Sequence, residues 1–357
     1  MITILLPISM AIILAAGIIA FSGLIQPNIV WRRLSLLLML PGLAGITIAS
    51  VWVMAGDLQV FIPLFEVSEL LAVNFYLDRL AAFFIMVICV VSACATVYSL
   101  GYVEHHPDSR KRQWSIGLMA IFILSMIGVV ASDNYFALLL NWEIMSLSSF
   151  FLVIIDNKQT ENLKAGIYYL VMTQLSTVFL FFSCLITYSS TGTMVVNASI
   201  PAMASLNLVL AGFLLGFGTK AGLIPLHKWL PYAHSAAPSN ISALMSGVML
   251  KVAIYGLARI TLNLESIPLG WGLILLGMGT LSAVLGVIYA LKEHDLKKLL
   301  AYHSIENIGI IVIGLGYTVF SHFTAWNYWR SRALPGLFST PSTMRFLKHY
   351  CLCAPAT

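Results

Sequence analysis

The chain has 357 residues, of which 60% are hydrophobic and only 9% charged, a composition that excludes an ordinary water-soluble globule. Its formal net charge of +5 lies mostly in short segments between apolar runs. That charge therefore speaks to orientation in a bilayer, and no basic, aromatic-interleaved patch points to a nucleic-acid partner.

Apolar runs near the roughly 20 residues that a bilayer requires occur at 2–24, 34–55, 78–101, 115–132, 134–154, 162–190, 206–224, 240–262, 268–291 and 297–319. Ten transmembrane helices are expected, and the fold class is an all-α polytopic membrane protein. The first run is too long for a signal-peptide core and lacks a basic start, so it reads as a retained span. Between the second and third runs, residues 57–76 alternate loosely and suggest a short hairpin or interfacial segment. The fourth and fifth runs are separated only by residues 131–134, which requires a tight hairpin of helices.

Loop charges orient the spans. Arg32 and Arg33 follow span one, Arg110 to Arg112 span three, Lys158 and Lys164 span five, and Lys292, Lys297 and Lys298 span nine. The intervening loops carry Asp57, Glu66, Glu69, Asp133 or Glu265 with almost no lysine or arginine. The positive-inside rule then places the N-terminus outside. Cys89, Cys94 and Cys184 lie in apolar runs and read as small hydrophobes, and Cys351 and Cys353 have no ligand-like company, so no metal site is expected.

Ionisable residues inside the runs carry the functional signal, because buried charge in a membrane is rare and usually marks a transport path. Glu143 stands about ten residues into span five and needs a cationic partner, for which Lys220 is the candidate. Burial favours the neutral amine and a nearby carboxylate the charged one, so such a pair can act as a switchable proton site. Pro225 and Pro231 interrupt the helix beside Lys220, and broken helices at membrane depth occur where protein buries them or where they line a cavity. Gly218 and Gly222 flank Lys220 in a small-xxx-small arrangement suited to close helix approach. His227 and His234 beside the break suit proton shuttling or the capping of freed carbonyls. Lys251, twelve residues into span eight, extends the polar line. His303 and Glu306, three apart near the basic end of span ten, either join that line or form a cap at the membrane surface.

Three passages, WEIMSLSSFFLV, FGTKAGLIPLHKWLPYAHSAAPSNISALMSGVMLK and DLKKLLAYHSIENIGII, resemble the antiporter-like subunits shared by respiratory NADH:quinone oxidoreductase, Mrp-type sodium/proton antiporters and membrane-bound hydrogenases. The resemblance runs from about Asp78 to Gly316, and AYHSIENIGII is closest in wording to the hydrogenase-4 and formate hydrogenlyase branch. By that resemblance Glu143 matches the family's glutamate in span five, Lys220 the lysine of the broken span seven, and Lys251 the lysine of span eight. It implies proton translocation, with sodium as the alternative cargo, driven by electron transfer in partner subunits. Those partners are other membrane-arm subunits and a soluble hydrogenase or iron–sulfur arm holding nickel–iron and iron–sulfur centres. No redox cofactor and no catalytic residue are expected in this chain. A non-transporting anchor for the redox arm is the reading from another class, and the buried charges argue against it. The family has about fourteen helices built on two inverted five-helix repeats, with sites at broken helices.

Three segments are expected: 1–77 with two spans and the connecting hairpin, 78–316 as the antiporter-like domain, and 317–357 as an aberrant tail. After Gly316 the sequence has scattered basic residues and no amphipathic period. The family continues instead with a second broken helix around a motif like LFHLLNHALFKALLFLGAG. From Ser342 to Cys351, STMRFLKHYC can be encoded so that another reading frame spells LNHALFKALL. The expectation is a frameshift between about Gly316 and Pro341 that leaves the second repeat incomplete and the chain unable to complete translocation alone. An uninterrupted homologue ending in the same tail would refute it.

Overall fold

The computed structural model describes residues 2–23, 29–68, 70–102, 108–155, 160–265 and 268–332, with side chains described as far as Ser321. Lys158, Glu69, Cys351, Cys353 and the tail from 333 onward lie outside the described residues. The helices are α1 (Ile2–Ser22), α2 (Ile29–Gly56), α3 (Arg79–Tyr102), α4 (Ser109–Ala131), α5 (Tyr135–Val153), α6 (Thr160–Thr191), α7 (Leu206–Ala221), α8 (Trp229–Ala236), α9 (Ser239–Leu244), α10 (Leu250–Asn263), α11 (Leu269–Lys292) and α12 (Leu296–Arg332). Among the described residues, nine helical segments are long and apolar enough to cross a membrane, and the 16-residue α7 is a shorter tenth.

Large apolar side chains cover the outside of this bundle. Ile4 on α1, Val171 and Phe182 on α6, and Leu281 and Val284 on α11 are all more than half exposed. In water that surface would be untenable; against acyl chains it is the expected one. Small residues meet where helices cross. Gly17 of α1 faces Ala120 of α4, and Gly309 of α12 faces the backbone of α11 at Gly279 and Ala283.

One face of the bundle is a woven loop layer. β1 (Val60–Glu66) and β2 (Ala72–Leu77) form the antiparallel hairpin expected between spans two and three, so among the described residues the fold is helical with a single small sheet. Backbone bridges then join Phe75 to Ser132, Asn134 to Val195 and Ile200 to Leu264. The loops poor in lysine and arginine are thereby gathered on one side, the arrangement that alternating spans require. Asp78 and Asn134 begin α3 and α5 there, accepting from the amides of Ala81 at 2.8 Å and Phe136 at 2.7 Å. The short 132–134 connection is the expected tight hairpin.

Two expectations about helix limits are corrected. Span seven is not one helix over 206–224 but two, α7 and α8, separated by residues 222–228. Pro231 does not interrupt it: this residue sits in the first turn of α8, where the missing N–H is not needed. The backbone of α12 continues as a helix sixteen residues past Gly316, to Arg332. The change read at Gly316 is thus not a break in the backbone.

Candidate functional site

α7 ends at Ala221 because Gly222 adopts a left-handed conformation, with φ 75°, and its N–H returns to the carbonyls of Gly218 and Thr219. Glycine takes this conformation without strain, so it is the natural terminator. Gly222 is thus a cap, and a Cβ on Gly218 would meet only leucines of its own strand of chain. The close helix approach expected of this pair belongs instead to Gly212 and Gly216, which face Ser183 and Leu180 of α6. Ser176 of α6 reinforces that seam by donating to the Gly216 carbonyl at 2.8 Å.

This geometry puts Lys220 in the last turn of α7 with 0% exposure. Its Nζ donates to Ser146 Oγ of α5 at 2.9 Å and to Tyr169 Oη of α6 at 3.1 Å. Tyr169 Oη in turn lies 2.6 Å from Ser149 Oγ and points at the Met249 sulfur. The rings of Tyr169 and Trp142 stand 5.1 Å and 5.9 Å from Nζ, close enough to favour a cation. All direct partners are neutral, and two of them are hydroxyls that can either give or take a proton.

The expected contact between Glu143 and Lys220 is not made. Glu143 Oε2 accepts from Gln174 Nε2 of α6 at 3.0 Å, and no ion pair joins it to Lys220 among the described residues. Glu143 stands one helical turn before Ser146, the partner of Lys220, so the carboxylate is near the amine without touching it. A bonded pair would lock both charges; separation leaves the amine free to change state. Glu143 Oε1 is buried without a protein partner.

Past the break, the backbone turns through residues 223–228, and Trp229 Nε1 of α8 reaches back to the Thr219 carbonyl at 2.8 Å. His227 is buried and stacks on Tyr289 of α11, whose ring meets Tyr302 of α12. His234 is also buried; its Nδ1 lies 2.7 Å from Ser242 Oγ, while Nε2 has no partner. Lys297 bonds the Ala237 carbonyl at 2.8 Å, closing the end of α8 at the basic face.

Span eight is also irregular. Between α9 and α10 lies one π-helical turn, Met245–Met249, a widening that often accompanies functional sites. Lys251 follows immediately, and its Nζ donates to the Ser246 carbonyl at 2.5 Å within that turn. It is half-buried. Of the polar line expected along Lys220, His234 and Lys251, each residue bonds its own neighbour, Ser146 and Tyr169, Ser242, and the Ser246 carbonyl respectively, and no described hydrogen bond joins one to another. His303 and Glu306 do not join it: they bond one another at 2.7 Å on an open face of α12, with side chains 48% and 24% exposed.

Sequence reading missed Tyr169, Ser146, Ser149 and Gln174, which supply the direct contacts of Lys220 and Glu143. Polar residues spaced along apolar helices were the available signal, but many others in this chain merely bond their own backbone, as Ser50 and Thr96 do.

Broken seventh helix, buried lysine and widened eighth helix define the class to which the chain belongs. Residues 132–329 match the family described as NADH:quinone oxidoreductase/Mrp antiporter, TM, and residues 67–112 match that described as NADH-Ubiquinone oxidoreductase (complex I), chain 5 N-terminus. The protein is a member of this family of antiporter-like membrane subunits. It is 40% identical over 266 residues to hydrogenase-4 component B of Escherichia coli (strain K12), covering 72% of this chain and 38% of that protein. It is 31% identical over 278 residues to formate hydrogenlyase subunit 3 of the same organism, covering 77% and 44%. A chain in the Mrp complex of Dietzia sp. DQ12-45-1b superposes with a TM-score of 0.73 at 25% identity, covering 87% of this chain and 34% of that one. The chain thus spans less than half the length of these relatives.

Proposed function

We propose that the protein is a membrane-arm subunit of a hydrogenase-4 or formate hydrogenlyase type complex in a bacterial inner membrane, and that Lys220 carries protons within it. The observation that carries this reading is a lysine with no exposed surface, held by hydroxyls and not by a carboxylate, at the end of a broken helix. A structural ion pair has no use for such partners. Glu143 acts as the coupled charge, Lys251 and His234 as the continuation towards the basic face, and His227 as a neighbour of the break. His303 and Glu306 form an ion pair on a face that another membrane segment covers, because two ionisable groups against acyl chains are expensive.

Electron transfer belongs to partner subunits of a soluble hydrogenase or iron–sulfur arm, which hold the nickel–iron and iron–sulfur centres. The basic loops face the cytoplasm and the N-terminus the outside. The higher identity to the hydrogenase-4 relative favours that branch. The Mrp superposition supports sodium/proton antiport as the second reading. Neighbouring genes distinguish them: hydrogenase large and small subunits accompany the first, a cluster of small antiporter genes the second.

The test is Lys220→Ala in a complex assembled with the subunit repaired to full length. Loss of proton translocation with subunit assembly intact is expected. Unchanged translocation would make the chain an anchor for the redox arm.

A further inference from the structure

The polar line has an inner end at Lys297, but α10 also carries polar groups towards the opposite, loop-covered face. Lys251, Tyr255 and Arg259 are four residues apart and so stand one above the other on one side of the helix. An open ladder of this kind would connect Lys251 to both sides of the membrane at once.

Contacts along the ladder close it. Lys251 turns away, towards Ser246 and the start of the helix. Tyr255 is 3% exposed and gives its hydroxyl hydrogen to the Val130 carbonyl at 2.8 Å. The same oxygen accepts from Arg259 Nε at 3.2 Å and Nη2 at 3.1 Å, so its bonding capacity is used up. The Arg259 guanidinium forks onto Asp78, with Nη1 to Oδ2 at 2.5 Å and Nη2 to Oδ1 at 2.7 Å. Arg259 is 7% exposed along its side chain against 23% for Asp78, so the carboxylate lies nearer the surface of the loop layer and the guanidinium beneath it. Asp78 is itself fixed by the amide of Ala81 at the start of α3. Beside it, a cavity of about 10 Å3 lined by Tyr135, Phe213, Phe217, Tyr255 and Arg259, among others, has room for no more than one water.

We propose that Arg259, clamped by Asp78 and Tyr255, is the plug that closes the loop-covered end of the polar line, leaving Lys251 and Lys220 in contact with the basic face alone. A guanidinium does not lose its proton, so it cannot relay one, and a fixed cation at a constriction repels protons and metal cations. Two hydrogen bonds to one carboxylate hold it flat across the opening. This deepens the proposed proton path and rests on it for its purpose, but plugging itself is a matter of access.

Access at position 251 can be read independently of proton transfer. Cys94, Cys184, Cys351 and Cys353 are replaced by serine, Lys251→Cys is introduced, and the buried Cys89 is kept as a reporter of unfolding. The full chain in oriented vesicles is exposed, from the loop-covered side, to a membrane-impermeant methanethiosulfonate bearing a quaternary ammonium. With Asp78 and Arg259 intact, position 251 is expected to stay unreactive. With Asp78→Asn and Arg259→Gln together, it is expected to react at least about tenfold faster while Cys89 stays protected. Equal rates at 251 with and without the bridge would overturn the plug and leave Arg259 a structural clamp. Should the double variant also expose Cys89, the single Asp78→Asn variant decides by the same criterion, since it keeps both side-chain volumes and the Tyr255 contacts. Neither result bears on whether Lys220 moves protons, which the flux of the Lys220→Ala complex decides separately.

Discussion

Lys220 and Arg259 are both cations buried in adjoining helices, α7 and α10, yet they are held in opposite ways. Arg259 has a carboxylate, two parallel hydrogen bonds and a tyrosine. Lys220 has two hydroxyls, two aromatic rings and a carboxylate that does not touch it. On the proposed function, the difference separates a charge that must persist from one that can come and go. Partners that are themselves ionised make a buried charge permanent, whereas hydroxyls and aromatic faces tolerate both states of an amine.

Stability should expose this contrast most sharply. Arg259→Ala leaves Asp78 and Tyr255 without their donor and is expected to cost about 3–5 kcal/mol, as for other broken buried pairs. Lys220→Met keeps volume and removes a desolvated ammonium, so its melting temperature in detergent should equal or exceed the parent's. A large loss in Lys220→Met would contradict the assignment of Lys220 as a weakly held charge.

A smaller effect is expected at the Lys220 cage. Tyr169→Phe removes one hydroxyl partner of Lys220, while Ser149 keeps the Met145 and Ser146 carbonyls, for a stability loss of about 1 kcal/mol. If protons pass through that hydroxyl, translocation by the complex falls far more than stability does. Parallel small losses in both would leave Tyr169 as packing.

Gly222→Ala is expected to cost about 1 kcal/mol, because φ of 75° suits glycine and strains alanine. Chemical denaturation can read this against Gly218→Ala, which meets only ordinary contacts and should be nearly neutral. The reverse order would restore the sequence-based view of the two glycines as a helix-packing pair.

The smallest effects distinguish two carboxyls of the loop layer by sign. Burial alone would raise the Asp78 carboxyl, but the Arg259 hydrogen bonds and charge outweigh it and hold it below the ordinary range. Its stabilising contribution is present above about pH 4 and is lost as pH falls through the lowered folded value. Burial pushes the Asp133 carboxyl up, against the opposing pull of Asn197 and Arg259. Its contribution is most favourable below about pH 4 and is lost as pH rises through the raised folded value. Asp78→Asn should therefore lower the melting temperature at pH 7 and Asp133→Asn raise it slightly, with both differences shrinking on acidification. The same sign for both would break the distinction.

Much of this was legible in the chain. Runs of apolar residues gave most spans to within a few positions because the bilayer sets their length, the broken seventh and the longer tenth excepted, and the loop charges divided the two faces. Glu143, Lys220 and Lys251 stood out because ionisable residues are rare in such runs. What stayed hidden depends on which side of a helix faces which neighbour. Nothing in the order of residues reveals that Tyr169, not Glu143, bonds Lys220, or that Lys251 follows a π-helical turn. Asp78 and Arg259, 181 positions apart, lie near the ends of their runs and look like ordinary interfacial charges until the loop layer brings them together. Pro231 misled because its cost depends on its place within a helix: in the first turn it disturbs nothing.

The most direct test of the central claim is proton translocation by the assembled complex carrying Lys220→Arg. Arginine keeps the positive charge and approximate length but does not release its proton in a protein. If Lys220 works by gaining and losing a proton, translocation is abolished while the subunit still assembles. Translocation that persists at the parent rate would mean that only a fixed charge is needed there, and the contrast between Lys220 and Arg259 would fall.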